Sequence, residues 1–149
     1  MTVPTQVPQK AQDARRLRYR KDLAVLDFRR TLAELAEEYT QSQVAEWVGL
    51  TQPTVSSVVK TARKTPAVLP GFSGATPQEI CERYAAGLIE RDQLVRELSA
   101  FPYEARGHTD GYDSLIVDPP GTWAEVEAAL HAGLIGEDVY AEVFEHLTN

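Results

Sequence analysis

Apolar residues recur at steps of three and four along most of the chain, which is the spacing of one face of an α-helix. Between Ala11 and Glu38 there is neither Gly nor Pro, so this stretch is predicted to form one long helix or two consecutive helices. Its second half carries an apolar stripe that is expected to pack on the helices that follow. The stripe consists of Val25, Phe28, Leu32, Leu35 and Tyr39, widened by Leu23, Leu26 and Ala36.

Residues 40–64 are predicted to form two short helices joined by a tight turn. Thr40 and Gln43 have the spacing of a capping box at the start of the first helix. Gly49 supplies the turn with a residue that tolerates positive φ, and Thr51 caps the second helix. The expected inward-facing residues are Val44, Ala45, Val48, Val55 and Val58, with apolar Leu50 in the turn.

The positions of Ala45, Gly49, Leu50 and the valines resemble the helix-turn-helix DNA-binding motif. The resemblance implies a three-helix domain in which the second short helix, Thr51 to about Ala62, enters the major groove. Its outward side chains are hydrogen-bonding and cationic types, which read base edges and hold phosphates. The alternative is a pair of packed helices with a polar surface. The predicted DNA-binding residues are Thr51, Gln52, Thr54, Ser56, Ser57, Lys60, Arg63 and Lys64.

A cluster of cations occupies the first part of the long helix. It has two interpretations: an arm that contacts DNA phosphates without reading sequence, or a solvated helix face neutralised by nearby acids. In a third interpretation, the helix extends beyond the core and pairs with a second copy of the chain. The predicted phosphate contacts are Arg15, Arg16, Arg18, Arg20 and Lys21, together with Gln41.

Charge is distributed unevenly along the 149 residues, whose net charge is −7. Residues 1–70 carry 11 Lys/Arg against 7 Asp/Glu, whereas residues 71–149 carry 4 against 15. The basic half can approach phosphate, and the acidic half is expected to face protein or solvent. No apolar run is long enough to span a bilayer and the N-terminus lacks a signal-peptide core, so a cytoplasmic protein without a membrane partner is expected.

The expected organisation is all-α, with two domains. A disordered tail covers residues 1–10, and the long basic helix and the helix-turn-helix domain cover residues 11–64. Residues 65–75 contain two prolines and two glycines and are predicted to be a linker. An acidic helical interaction domain is predicted over residues 76–149.

This acidic half contains an internal repeat with a shift of 46 residues. Each copy is predicted to be a helical hairpin whose first helix begins at a Thr cap, Thr76 or Thr122, with Glu three residues later. Ala-Gly ends that helix and Leu-Ile is expected to be buried in the turn, at residues 86–89 and 132–135. The copies resemble the short helix–Gly-Leu-Ile–helix units at the ends of many bacterial proteins, which are interaction modules without known chemistry. The alternative is that a helix end commonly reads Ala-Gly-Leu-Ile.

Between the hairpins, residues 101–121 form a long connection in which Tyr112–Val117 is predicted as a short strand or an ordered extended segment. Such a segment either covers a hydrophobic seam, contacts a partner, or has a purely structural packing role.

Little in the sequence indicates catalysis. The three histidines have no metal-ligand spacing with Cys81 or with one another. An acidic run at Asp110, Asp113 and Asp118 lacks the spacing of a calcium loop. Cys81 lies on a predicted helix and is expected to be half-buried and inert. We therefore expect no enzymatic activity, no metal and no cofactor.

Two functions from different classes follow. The first is a sequence-specific regulator of transcription that binds double-stranded DNA as a homodimer and represses its own operon. Its acidic domain would oligomerise or bind a protein partner, as in the antitoxin of a toxin–antitoxin pair or a phage or plasmid repressor. The second is a protein-binding adaptor in which the motif is only a helical scaffold.

Overall fold

A computed structural model describes residues 6–105 and 121–149. These ranges contain seven α-helices and no strand, so the all-α prediction is confirmed for them. The only β-type pairing in them is an isolated bridge between Glu104 and Thr122. The helices are α1 (Gln9–Glu38), α2 (Gln41–Val48), α3 (Gln52–Ala62), α4 (Pro77–Ala85), α5 (Arg91–Ala100), α6 (Ala124–His131) and α7 (Glu137–Thr148).

The long N-terminal helix is a single continuous element of 30 residues. It begins at Gln9, so the last two residues of the predicted disordered tail are helical and that prediction is wrong for them. The carbonyl oxygen of Pro8 accepts hydrogen bonds from the backbone N–H groups of Ala11 and Gln12 at 3.0 and 3.1 Å. Proline suits a helix start because its missing N–H would have had no partner in the first turn.

Contacts divide the chain into two compact units. The small unit is Arg20–Ala67, and the large unit combines the chain up to Tyr19 with Val68–Asn149. Helix α1 therefore contributes its first part to the large unit and its second part to the small unit. The predicted domain boundaries stay predictions, but they did not include this division of α1.

The small unit has a core built from α1, α2 and α3. Leu32 from α1 packs with Val44 and Ala45 from α2 and with Val55 and Val59 from α3. Each of these five side chains is buried. The expected packing of the α1 stripe on the two short helices is thus confirmed for Leu32, and also for Leu35 and Ala36, which are partly buried against the same cluster.

Four predicted core residues are exposed and take no part in this core. Val48 is exposed at the last position of α2, and Val25, Phe28 and Tyr39 of the α1 stripe are also exposed. On α3 the buried row is Val55, Val59 and Ala62, with predicted Val58 only half-buried. The reason is the helical period, because positions 55, 59 and 62 follow steps of four and three along one side.

The turn between α2 and α3 has the predicted backbone. Gly49 adopts φ 82°, and its N–H and that of Leu50 both donate to the Ala45 carbonyl oxygen at 2.9 Å. Thr40 makes the capping box with Gln43 at the start of α2. These predictions are therefore confirmed. They could be made from the sequence because each depends only on residues within one or two turns of each other.

Replacing Gly49 by Ala is expected to lower the free energy of unfolding of the small unit by about 1–2 kcal/mol, the cost of a Cβ in the left-handed region. An added Cβ at Gly49 has no atom within 4 Å, so the cost comes from the backbone alone. Urea denaturation followed by Trp47 fluorescence in a Trp123→Phe background measures this unit. Gly49→Asn is the matched control and should lose less, since Asn tolerates this region. Equal midpoints for wild type and Gly49→Ala would contradict the account.

The two copies of the repeat form two hairpins in the large unit, α4 with α5 and α6 with α7. Equivalent helices also pack on each other, because α4 contacts α6 and α5 contacts α7. Both hairpins therefore share one core instead of having one each. Its buried residues are Ile80, Cys81, Leu94, Val95, Leu98, Phe101, Val126, Ala129, Leu134, Ile135, Val139 and Val143.

The helix ends of the repeat are equivalent, but the residues after them differ. Gly87 and Gly133 adopt φ 78° and 77°, as predicted. The N–H groups of Leu88 and Leu134 then donate to the carbonyl five residues earlier, at 2.8 and 2.9 Å. Leu134 is buried, whereas Leu88 is 48% exposed, so the expectation of a buried Leu is wrong for the first copy.

The caps of the two copies also differ. Thr76 accepts a hydrogen bond from the Glu79 backbone N–H at 3.2 Å, as predicted. In the second copy the N-cap residue is Trp123, and it makes no side-chain cap. Thr122 is buried one residue earlier, so its predicted capping role is wrong. The carboxylate of Glu125 instead accepts a hydrogen bond from the Gly121 N–H, which holds Gly121 at the start of α6.

The second part of the predicted linker is folded onto the large unit. Phe72 contacts Phe101 edge-on, with ring centroids 5.6 Å apart, and Ser73 donates its backbone N–H to Glu97. The predicted extended segment Tyr112–Val117 lies outside the described residues.

Cys81 is fully buried, and burial raises the pKa of its thiol from an ordinary value of 9.0 to about 12, helped by the carboxylates of Glu125 and Glu82. The unfolded chain releases this proton near pH 9 and the folded chain does not. The stabilising effect is therefore complete below pH 9 and is lost as the pH rises toward 12.

We expect the free energy of unfolding to decline between pH 9 and 11, and to decline less steeply in Cys81→Ala. Urea denaturation at each pH measures both slopes. In addition, a thiol reagent at pH 8 should leave native Cys81 unmodified and label it only in urea. Equal slopes, or rapid labelling of the native protein, would contradict the buried assignment.

Candidate nucleic-acid interface

The outward side of α3 is defined by its buried row. At 3.6 residues per turn, Ser57 and Lys60 lie about 165° and 135° from the centre of that row. Both are exposed, whereas Ser56 lies on the flank and is half-buried. Among the predicted DNA-binding residues, Ser57 and Lys60 therefore face solvent most directly, and Ser56 less so.

The first turn of α3 holds two threonines that contact each other. The hydroxyls of Thr51 and Thr54 are 2.7 Å apart, and the Thr54 backbone N–H donates to the Thr51 hydroxyl at 3.3 Å. Both side chains are exposed. Thr51 thus caps the helix as predicted while its side chain remains at the surface.

Gln41 and Gln52 connect the starts of α2 and α3. The Gln52 side-chain amide donates to the Gln41 amide oxygen at 2.9 Å. Each residue is the first of its helix, so the two helix N-termini lie close to one another. A helix N-terminus presents unpaired N–H groups and a partial positive charge, which favours anions such as phosphate. The sequence did not reveal this contact, because residues eleven positions apart show no periodic signal.

Three exposed cations occupy the end of α3 and the residues after it. Lys60 lies in the last turn, Arg63 is the C-cap residue, and Lys64 follows. Between Gln41 and Lys64 the only acidic residue is Glu46. The surface of α3 is therefore polar at its start and cationic at its end.

The side chains of the basic cluster of α1 are divided between the two units and have different contacts. Arg15 donates a hydrogen bond to the Ala132 carbonyl oxygen at the C-terminus of α6, where a cation complements the helix dipole. Arg15 and Arg18 each lie 5.9 Å from the centroid of the Tyr19 ring, which is partly buried against the large-unit core.

Arg15, Arg16 and Arg18 thus belong to the large unit, whereas Arg20 and Lys21 belong to the small unit. All five side chains are exposed. The sequence showed their density, but not that Arg15 binds a helix end of its own chain.

An exposed aromatic pair on the small unit was not predicted. Tyr39 and Trp47 contact each other edge-on with ring centroids 5.0 Å apart, and Trp47 is 60% exposed. Tyr39 was expected to be part of the core stripe, and Trp47 follows the buried pair on α2 by two positions, where the helical period turns it outward.

Among the described residues, no three His, Cys, Asp or Glu side chains are grouped so that they could hold a metal ion. The acidic run at Asp110, Asp113 and Asp118 lies outside those residues. Within the described part of the chain, no helix is both long enough and apolar enough to cross a membrane.

Comparisons with models of known protein families, with curated proteins and with solved structures gave no match.

Proposed function

We propose that the chain is a sequence-specific DNA-binding regulator of transcription and that α2 and α3 form its helix-turn-helix. Helix α3 is the recognition helix, and α1 completes the domain. The observation that carries this proposal is the surface of α3, where hydrogen-bonding side chains at the N-terminus adjoin three exposed cations at the C-terminus.

The polar start of α3 suits base contacts. In helix-turn-helix proteins the N-terminal residues of the recognition helix contact base edges. Gln52 has an amide that can bind adenine through two hydrogen bonds, and exposed Ser57 has a hydroxyl that accepts and donates. The bond from Gln52 to Gln41 holds the amide in place before DNA arrives.

The two adjacent helix N-termini and the cations suit phosphate contacts. The N–H groups that the two caps leave open, those of Gln41 and Ser42 on α2 and of Gln52 on α3, can bind backbone phosphates on one side of the groove. Lys60, Arg63 and Lys64 can bind phosphates near the other end of the helix, since each adds affinity that does not depend on sequence.

The regulator acts as a homodimer, because one recognition helix covers too few base pairs for specificity within a genome. As a repressor, it acts on its own operon. The acidic C-terminal part of the large unit serves oligomerisation or a protein partner. With 15 acidic residues against 4 basic ones in residues 71–149, it suits a basic protein, as expected of an antitoxin-like or phage-type regulator.

Two alanine variants test the placement of α3. Lys60→Ala should weaken binding to all duplexes equally and lower the salt dependence by about one phosphate contact. Ser57→Ala should weaken binding to the preferred duplex more than to a scrambled duplex. Fluorescence anisotropy with both duplexes at several salt concentrations measures these effects, and Thr148→Ala, which removes an exposed hydroxyl at the end of α7, is the control. If Lys60→Ala and Ser57→Ala change the two duplexes alike, the placement is wrong.

A further inference from the structure

Two apolar side chains of helix α1, Val25 and Phe28, lie outside the small-unit core and are partly exposed. Val25 and Phe28 lie about 60° apart around the helix axis and are 43% and 42% exposed. One turn later the same stripe continues into Leu32, which is buried beneath α2 and α3. An exposed Phe and Val at adjacent positions on one face are an association surface of modest size.

The two edges of this face differ in charge. One edge carries Asp22 and Arg29, which are seven residues apart and therefore lie on the same side of the helix. The other edge carries Ala24 and Thr31, also seven residues apart and uncharged. Among the described residues, neither the Asp22 side chain nor the Arg29 side chain has a hydrogen bond or an ion pair within the chain.

This arrangement is self-complementary for an antiparallel pair. When two identical helices cross antiparallel about a twofold axis, each edge faces the same edge of the other copy. With the axis between Val25 and Phe28, Asp22 of one copy approaches Arg29 of the other with an axial offset of about 3 Å, which the long Arg side chain can span. The twofold axis repeats the pair, so each dimer contains it twice.

We propose that a second copy of this chain binds to this face, with the two α1 helices crossing antiparallel at Val25 and Phe28 and with reciprocal Asp22–Arg29 ion pairs. A second copy is the occupant because the charges complement themselves under a twofold axis, which a different partner would not require. The crossing is small, well below the roughly 1,200 Å² of a stable interface, so the dimer is weak and concentration-dependent. Its use in reading an operator rests on the proposed function.

Sedimentation equilibrium of the full chain without DNA tests the interface independently of DNA binding. We expect wild type to show a monomer–dimer equilibrium between about 1 and 500 µM, the range of a weak interface. Phe28→Glu should abolish the dimer. Asp22→Arg and Arg29→Asp should each raise the dissociation constant about fivefold or more, because each places like charges together twice.

The combined variant Asp22→Arg/Arg29→Asp is decisive because it restores both pairs with reversed polarity. It should return the dissociation constant to within about threefold of wild type, since the coupling depends on the pair and not on either residue alone. The control variant is Glu37→Arg, which changes the net charge by the same amount as Asp22→Arg. Glu37 is exposed on another side of α1, so this variant should leave the dimer unchanged.

A wild type that stays monomeric throughout would overturn the interface, and so would a double variant as weak as the single ones. Circular dichroism of each variant establishes that it is folded. If the protein is monomeric but still binds one duplex preferentially, the dimer inference and the homodimer part of the proposed function fail, whereas sequence-specific DNA binding stands. If it dimerises but binds no duplex, the interface stands and the proposed function fails.

Discussion

Replacing Arg83 by Met is expected to destabilise the large unit by about 3–5 kcal/mol, because it removes the Arg83 cation from beside the buried Glu79 carboxylate. The Arg83 guanidinium donates to Glu79 Oε2 from Nη2 and Nε at 3.1 and 3.3 Å, and both residues are almost fully buried. Glu79 also lies against Gly74, where an added Cβ would come within 2.9 Å of its carboxylate, so the side chain has little room to move toward water.

The matched control is the double variant Glu79→Gln/Arg83→Met. It removes both charges while keeping similar volumes, so it should be markedly more stable than Arg83→Met alone. Urea denaturation followed by Trp123 fluorescence in a Trp47→Phe background measures the large unit separately. A loss below about 1 kcal/mol for Arg83→Met, or a double variant no more stable than the single one, would show that the pair is effectively solvated.

Removing the three cations at the end of α3 is expected to have the largest effect on DNA binding. In Lys60→Ala/Arg63→Ala/Lys64→Ala, the slope of log affinity against log salt should become smaller by about 2.7, and affinity at low salt should fall at least about tenfold. Preference for one duplex over another should be largely retained, because phosphate contacts carry no sequence information.

The control for the triple variant removes exposed cations elsewhere. Lys10→Ala/Arg96→Ala changes residues of the large unit and should leave the salt slope close to that of wild type. If both variants reduce the slope by the same amount per cation removed, the affinity reflects overall charge and α3 is not the contact surface.

Local features of this chain could be predicted from the sequence, since they depend on neighbouring residues. The caps at Thr40 and Thr51, the left-handed Gly49 and the glycines of the repeat required only the chemistry of one helix end. The period of the apolar residues predicted where the helices lie, and the observed helices are close to those positions.

Features that depend on distant residues could not be predicted. The period of α1 does not show where α2 and α3 end, so Val25 and Phe28 were expected in the core although they are exposed. Arg15 was assigned by its charge, whereas its partner, the Ala132 carbonyl, is 117 positions away. The repeat predicted two hairpins but not that equivalent helices would pack on each other.

The candidate interface likewise depends on contacts between distant residues that the sequence could not predict. The types of residue along α3 were evident, but Ser56 and Ser57 could be distinguished only once Val55, Val59 and Ala62 were seen to form the buried row. The bond between Gln41 and Gln52 depends on how two helices meet and leaves no trace in the pattern.

Titration of the full chain with duplex DNA is the most direct test of the central claim. One duplex comes from upstream of the gene that encodes the chain, the other is the same sequence scrambled, and both are measured at several salt concentrations. We predict that the upstream duplex binds at least about 10³-fold more tightly and that both affinities fall steeply with salt. Equal binding of both duplexes at every salt concentration would contradict autoregulation by sequence, and no binding of either at low salt would contradict the DNA-binding function itself.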